Sequence, residues 1–180
     1  MTIIREAFYA VDDRLVRWMS RYGLTLLRLS VGVVFLWFGA LKFLPGLSPA
    51  EGIASRTISA LSFGLIAPRT AMLILAVWES LIGVGLILNF FMRGTLLLLY
   101  LQMLGTLTPL FLFPQEVFIR VPYTPTLEGQ YIIKNLVLIS AGIVLGATVR
   151  GGELVPDTKH KRPRSGLTPP PLEQELQPPG

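Results

Sequence analysis

The sequence predicts an all-α membrane protein: a four-transmembrane-helix bundle with an N-terminal interfacial helix and a disordered C-terminal tail. Three observations lead there. Of 180 residues, 52% are hydrophobic and only 15% charged, with a mean hydropathy of +0.59, and a soluble domain rarely carries so little charge. The apolar residues fall in four windows, 24–44, 70–91, 94–113 and 130–149, each about the 20 residues that a helix needs to cross ~30 Å of hydrocarbon. The basic residues are distributed unevenly between the two sides those windows define.

Residues 1–23 form the first element. Ile4, Phe8, Val11, Leu15, Trp18 and Tyr22 step by three and four, with arginines on the other face, the pattern of an amphipathic helix lying on an anionic membrane surface. The charged residues here and the length of the span that follows predict a retained signal anchor rather than a cleaved leader. Arg5, Arg14, Arg17, Arg21, Arg93, Arg150, Lys159, Lys161, Arg162 and Arg164 fall on one side of the four windows, against Arg56, Arg69 and Arg120 on the other. The positive-inside rule therefore predicts both termini in the cytoplasm. The net charge of +5 is read as this orientation signal and not as nucleic-acid binding.

The membrane domain occupies 24–149. Its first loop, Pro45 to Arg69, is too apolar to be fully hydrated and is expected to hold an interfacial helix or short re-entrant segment. Arg28, Gly32, Phe35, Gly39 and Lys42 share one face of the first span. Met72, Ala76, Glu79 and Gly83 share a face of the second, and Thr95, Gln102, Gly105, Thr106 and Pro109 a face of the third. Lys134 and Asn135 lead a face of the fourth that continues through Leu138, Ala141, Gly142 and Gly146. Small residues let helix backbones approach and polar ones need partners away from lipid, so the four stripes are expected to turn inward. From Gly151 the chain holds seven of its fourteen prolines, and the segment 150–180 reads as a disordered tail.

Chemistry is narrowly bounded. There is no cysteine, and the only histidine, His160, lies in the tail, which excludes disulfides, thiolate metal sites, iron–sulfur clusters and an intramembrane histidine-ligated haem. No metal site is expected. Glu79, tenth of 22 residues in its window, and Gln102, ninth of 20, lie near mid-membrane. A carboxylate there costs several kcal/mol unless paired or protonated. Lys42 and Lys134 sit about one turn in from the far surface, and a lysine stem spans that distance. Lys42, Glu79, Gln102, Lys134 and Asn135 are therefore the candidate polar cluster, with Arg28 and Glu128 in support. Two readings stay open for Glu79: a proton-accepting or ligand-binding carboxylate, or an ion-pair partner that fixes helix register. Arg28 is expected to reach lipid phosphate, Glu128 to complement a helix dipole, and Pro109 to kink the third span.

RLSVGVVFLWFGALKFLP (28–45), WESLIGVGLIL (78–88) and TLEGQYIIKNLVLISAGIVLGA (126–147) resemble the DoxX-like superfamily of small four-span bacterial membrane proteins. The resemblance rests on Arg28, Gly39, Lys42, Phe43, Glu79, Glu128, Gly129, Gln130, Lys134 and Asn135, and covers about 24–149. It implies a bacterial cytoplasmic-membrane protein; members are similar to a subunit of an archaeal thiosulfate:quinone oxidoreductase, and others are associated with redox-stress responses. No intrinsic cofactor is expected, and a quinone is the candidate ligand. Fold-level analogy does not transfer catalysis, and no self-contained catalytic constellation is present. Three classes stay open: a membrane subunit or accessory of a quinone-linked redox system, a non-catalytic stabilising subunit of a larger complex, or a small-solute or proton transporter. The partners expected are the lipid bilayer and either subunits of a membrane complex or a second copy of the chain.

Overall fold

The computed structural model describes residues 2–152 and 154, with side chains from residue 8 onward. The proline-rich tail beyond them, with Lys159, Lys161, Arg162 and Arg164, lies outside the described residues. Four helices are long and apolar enough to cross a membrane: α1 (Thr2–Leu41), α3 (Pro68–Leu88), α4 (Met92–Leu107) continued by α5 (Pro109–Leu112), and α7 (Leu127–Thr148). The chain is a helical membrane protein; the last three spans begin and end within a few residues of their sequence windows, while the first helix starts far ahead of its window.

The stretch 1–23 is helical from Thr2 and runs into the first span without a break. Its 40 residues extend about 60 Å at 1.5 Å per residue. Between Arg21 and Leu24 the only weak helix former is Gly23, which costs roughly 1 kcal/mol against alanine but leaves the hydrogen-bond ladder intact. Phe8, Val11, Leu15, Trp18 and Tyr22 all remain exposed on this part of α1.

Each helix end has a local cause. Pro68 opens α3 at a position where no N–H is needed. Asn89 closes it in the left-handed conformation, φ 55°, with the Phe90 N–H donating to the Gly85 carbonyl at 2.9 Å. Pro109 interrupts the third span, and α5 restarts from Thr108. The Thr126 hydroxyl accepts the Gly129 N–H at 3.2 Å and so caps α7. A Cβ on Gly129 would stand 2.0 Å from the Val117 carbonyl oxygen, so only glycine lets α7 begin against the preceding turn.

α1 packs along most of α3 because both present glycines at the contact. A Cβ on Gly83 would meet the Leu36 backbone nitrogen at 2.5 Å, and one on Gly39 the Ser80 nitrogen at 2.9 Å. α7 lays Gly142 against Tyr100 and Leu99 of α4. Val31, Phe35, Ile82, Leu86, Leu99, Met103 and Leu145 fill the centre. The inward stripes expected of the first two spans are the buried faces, and Thr95, Gln102, Ala141 and Gly142 are buried as expected of the others.

The end of the bundle beyond Lys42 is covered by connections. The apolar first loop contains α2 (Glu51–Leu61), an 11-residue helix too short to cross a membrane. The third connection contains α6 (Pro114–Val117) and an antiparallel hairpin, β1 (Phe118–Arg120) with β2 (Thr124–Pro125). The sequence pattern gave no sign of these strands. Arg56 of α2 ties the two connections together, its Nη1 donating to Glu116 at 2.7 Å with its guanidinium over the Phe113 ring.

Candidate functional site

Gly39 sets the site. With no side chain it lets α1 approach α3 at Glu79 and Ser80. Lys42, three residues further and just past the end of α1, is thereby delivered to the same level. Its Nζ lies 2.6 Å from Oε2 of Glu79 and also donates to the Phe38 carbonyl at 3.3 Å. The other carboxylate oxygen, Oε1, accepts from Nε2 of Gln102 on α4 at 2.8 Å. All three residues are buried, with 7%, 8% and 6% of their surface exposed for Lys42, Glu79 and Gln102. The buried pair thus has a neutral amide to complete it, which is what a low-dielectric site demands.

Two adjoining cavities meet at this pair. The larger, about 360 Å³, is walled by α1, α7 and the start of α2. Lys42, Glu79 and Asn135 stand at its inner end, and exposed Val34, Phe38, Leu127 and Tyr131 rim it between α1 and α7. The smaller, about 170 Å³, lies under α2 and adds Gln102, Thr57 and Pro109. The Asn135 amide and the Ser48 hydroxyl face the larger cavity without a hydrogen-bond partner among the described residues. So the site holds a carboxylate with both oxygens engaged, a lysine with an N–H to spare, and an amide without a partner among the described residues.

Lys42, Glu79, Gln102 and Asn135 therefore come together as the sequence stripes predict, and Lys134 does not. Lys134 is exposed, with its Nζ 5.5 Å from the Tyr131 ring centroid. Adjacent helical residues point about 100° apart, so with Asn135 turned into the cavity its neighbour faces outward. Glu128 lies in the first turn of α7, exposed at the cavity rim. Arg28 makes a contact that its sequence position did not announce: it donates from Nη1 to the carbonyls of Leu86 and Ile87, the latter at 3.0 Å. The contribution of α2 and of Ser48 to the cavity was not found by motif. The signal available was the apolar character of the first loop, which needs something apolar to cover.

These features define a class: a small four-span helical membrane protein with a charged centre and a cavity beside it. The family model for DoxX matches residues 23–114, just over half of the chain, and the chain belongs to that family. Lys42, Glu79 and Gln102 lie inside the matched stretch, and Asn135 lies beyond it. No curated protein and no solved structure matches the chain.

Proposed function

We propose that this protein is a small membrane subunit or accessory of a quinone-linked redox system, and that its intramembrane site receives a quinone headgroup. The observation that carries this reading is the shape and polarity of the larger cavity. Its volume falls within the ~300–1,000 Å³ of ordinary ligand sites. Its walls are apolar, and its rim between α1 and α7 is built of exposed apolar and aromatic side chains that meet lipid. Its inner end carries donors. An amphipathic ring with a lipid-soluble tail matches that gradient.

The residues present fit such a ligand. Asn135 and the unused N–H of Lys42 are donors suited to ring carbonyl oxygens, and the Ser48 hydroxyl stands at the same wall. Glu79 fixes Lys42 in place, while Gln102 holds the carboxylate from its other side. When bound, a quinone supplies two-electron, two-proton redox capacity that the side chains lack. The chain's own part is to bind, orient and keep the headgroup at mid-membrane. Membership of the DoxX family supports a bacterial cytoplasmic membrane, and the distribution of basic residues supports both termini on its cytoplasmic side.

The test is direct. Protein purified in a mild detergent is extracted with organic solvent and its quinone content measured by mass spectrometry. Near-stoichiometric quinone in the native chain, lost in Asn135→Leu with folding unchanged, is expected. A native protein without quinone, or a variant that retains it fully, refutes the reading. A second reading, a non-catalytic stabilising subunit, is favoured by one observation: the exposed apolar face of α1 from Phe8 to Tyr22. Stoichiometric co-purification of partner subunits that is abolished by polar substitutions on that face supports it.

A further inference from the structure

A second pocket lies at the opposite end of the bundle, about 380 Å³ between α1, the α3–α4 turn and the end of α7. Its central group is Arg28. This guanidinium is half-buried, and the ion pairs among the described residues are Lys42–Glu79 and Arg56–Glu116, so it has no acid. Nη1 caps α3 through the carbonyls of Leu86 and Ile87, which offsets the negative end of that helix. Nε and Nη2 carry three further N–H groups that have no acceptor among the described residues. Thr25 and Asn89 line the same pocket, also without side-chain hydrogen bonds among those residues.

We propose that this pocket binds the phosphate of an anionic membrane phospholipid. Four observations converge on that chemistry. The free fork of an arginine matches two oxygens of a phosphodiester. α4 begins at the pocket wall with Met92, so the unpaired N–H groups of its first turn add positive potential. Arg21, Arg93 and Arg150 stand at the same end. The nearest acids along α1 are Asp12 and Asp13; Asp13 is about 22 Å from Arg28 at 1.5 Å per residue, beyond a screening length of about 8 Å.

Depth and lining choose a lipid over a soluble anion. Arg28 lies one turn inside the first apolar window, and Leu24, Met92, Leu145 and Val149 supply an apolar wall beside the polar groups. A phosphate held there is at headgroup level, with its acyl chains free to follow the outside of the bundle.

The experiment follows thermal unfolding of the full chain, purified in a mild non-ionic detergent, against added phosphatidylglycerol, phosphatidylcholine or inorganic phosphate. Native mass spectrometry reports retained lipid in parallel. Phosphatidylglycerol is expected to raise Tm and remain bound, with phosphatidylcholine weaker and inorganic phosphate without effect. Arg28→Lys keeps the charge but loses the fork, and should weaken phosphatidylglycerol binding about tenfold. Asn89→Gly removes the amide at a left-handed position that suits glycine, so it should weaken binding several-fold while leaving lipid-free Tm unchanged. Asn89→Gly carries the test if Arg28→Lys fails to fold. Equal responses to phosphatidylglycerol and phosphatidylcholine, wild-type affinity in the folded variants, or the same Tm shift from inorganic phosphate alone overturns the proposal.

Discussion

Replacing Glu79 by glutamine should destabilise the protein, and the geometry gives the size of the effect. Glu79 is 8% exposed and holds Lys42 at 2.6 Å. Glutamine keeps one carbonyl oxygen, which can serve either Lys42 or Gln102, and turns a donor toward the other. Where that oxygen serves Gln102, the buried ammonium keeps only the Phe38 carbonyl at 3.3 Å; where it serves Lys42, a neutral acceptor replaces the charged one. Breaking one side of a buried pair costs about 3–5 kcal/mol. The adjoining cavity admits water to the lysine, which places the expected loss near the lower end, about 3 kcal/mol. For a chain of this size that is a fall of about 6–12 °C in Tm. The double variant Glu79→Gln with Lys42→Met removes the charge with its partner and should recover to within about 1 kcal/mol of wild type. The assay is unfolding in detergent of the wild type, both single variants and the double variant, with quinone retention measured on each. Read from sequence, two lysines and two amides around one acid suggest a hydrated site that would tolerate glutamine. In the structure one lysine and one amide contact the carboxylate, and Lys134 is elsewhere, which shifts the expectation to a costly single change. An unchanged Tm in Glu79→Gln would refute this and return Lys42 to a hydrated, unpaired role. Rescue of stability without rescue of quinone retention would show that the pair is both a helix tie and part of the site.

The remaining predictions concern packing and orientation. Gly83→Ala places a methyl 2.5 Å from the Leu36 backbone nitrogen, so it should cost about 1–3 kcal/mol by forcing α1 and α3 apart. Gly105→Ala, which meets nothing within 4 Å, should be neutral or slightly stabilising through helix propensity; equal losses in the two variants would contradict the observed packing. A C-terminal reporter active only in the cytoplasm should give signal, and a reporter active only on the outer side should not, if the ten-to-three asymmetry of basic residues sets topology.

What could be read from the sequence, and what could not, divides along physical lines. The spans were legible because lipid imposes length and apolarity on every crossing segment. The buried faces of α1 and α3 were legible because in lipid it is small and polar residues that mark a helix contact. Gly32 and Gly39 on α1, and Ala76 and Gly83 on α3, stand seven residues apart, two helical turns, and each is buried. The same logic brought Lys42, Glu79 and Gln102 together across three helices. It failed at Lys134 because polarity and depth constrain height along a helix but not rotation about it. Lys134 and Asn135 satisfy the same depth argument and point about 100° apart. Only the packing of Ile132, Ala141 and Leu145, all buried on α7, decides between them. Arg28 illustrates the same limit in another form. Its depth suggested phosphate, and no sequence pattern announces that the end of α3, 58 residues on, presents two carbonyls to it. Arg56 and Glu116, 60 residues apart on the short helices of two connections, are joined for the same reason. Local spacing reports which face of a helix meets another. It does not report which distant atom that face will meet, and the polar contacts that make this site are of the second kind.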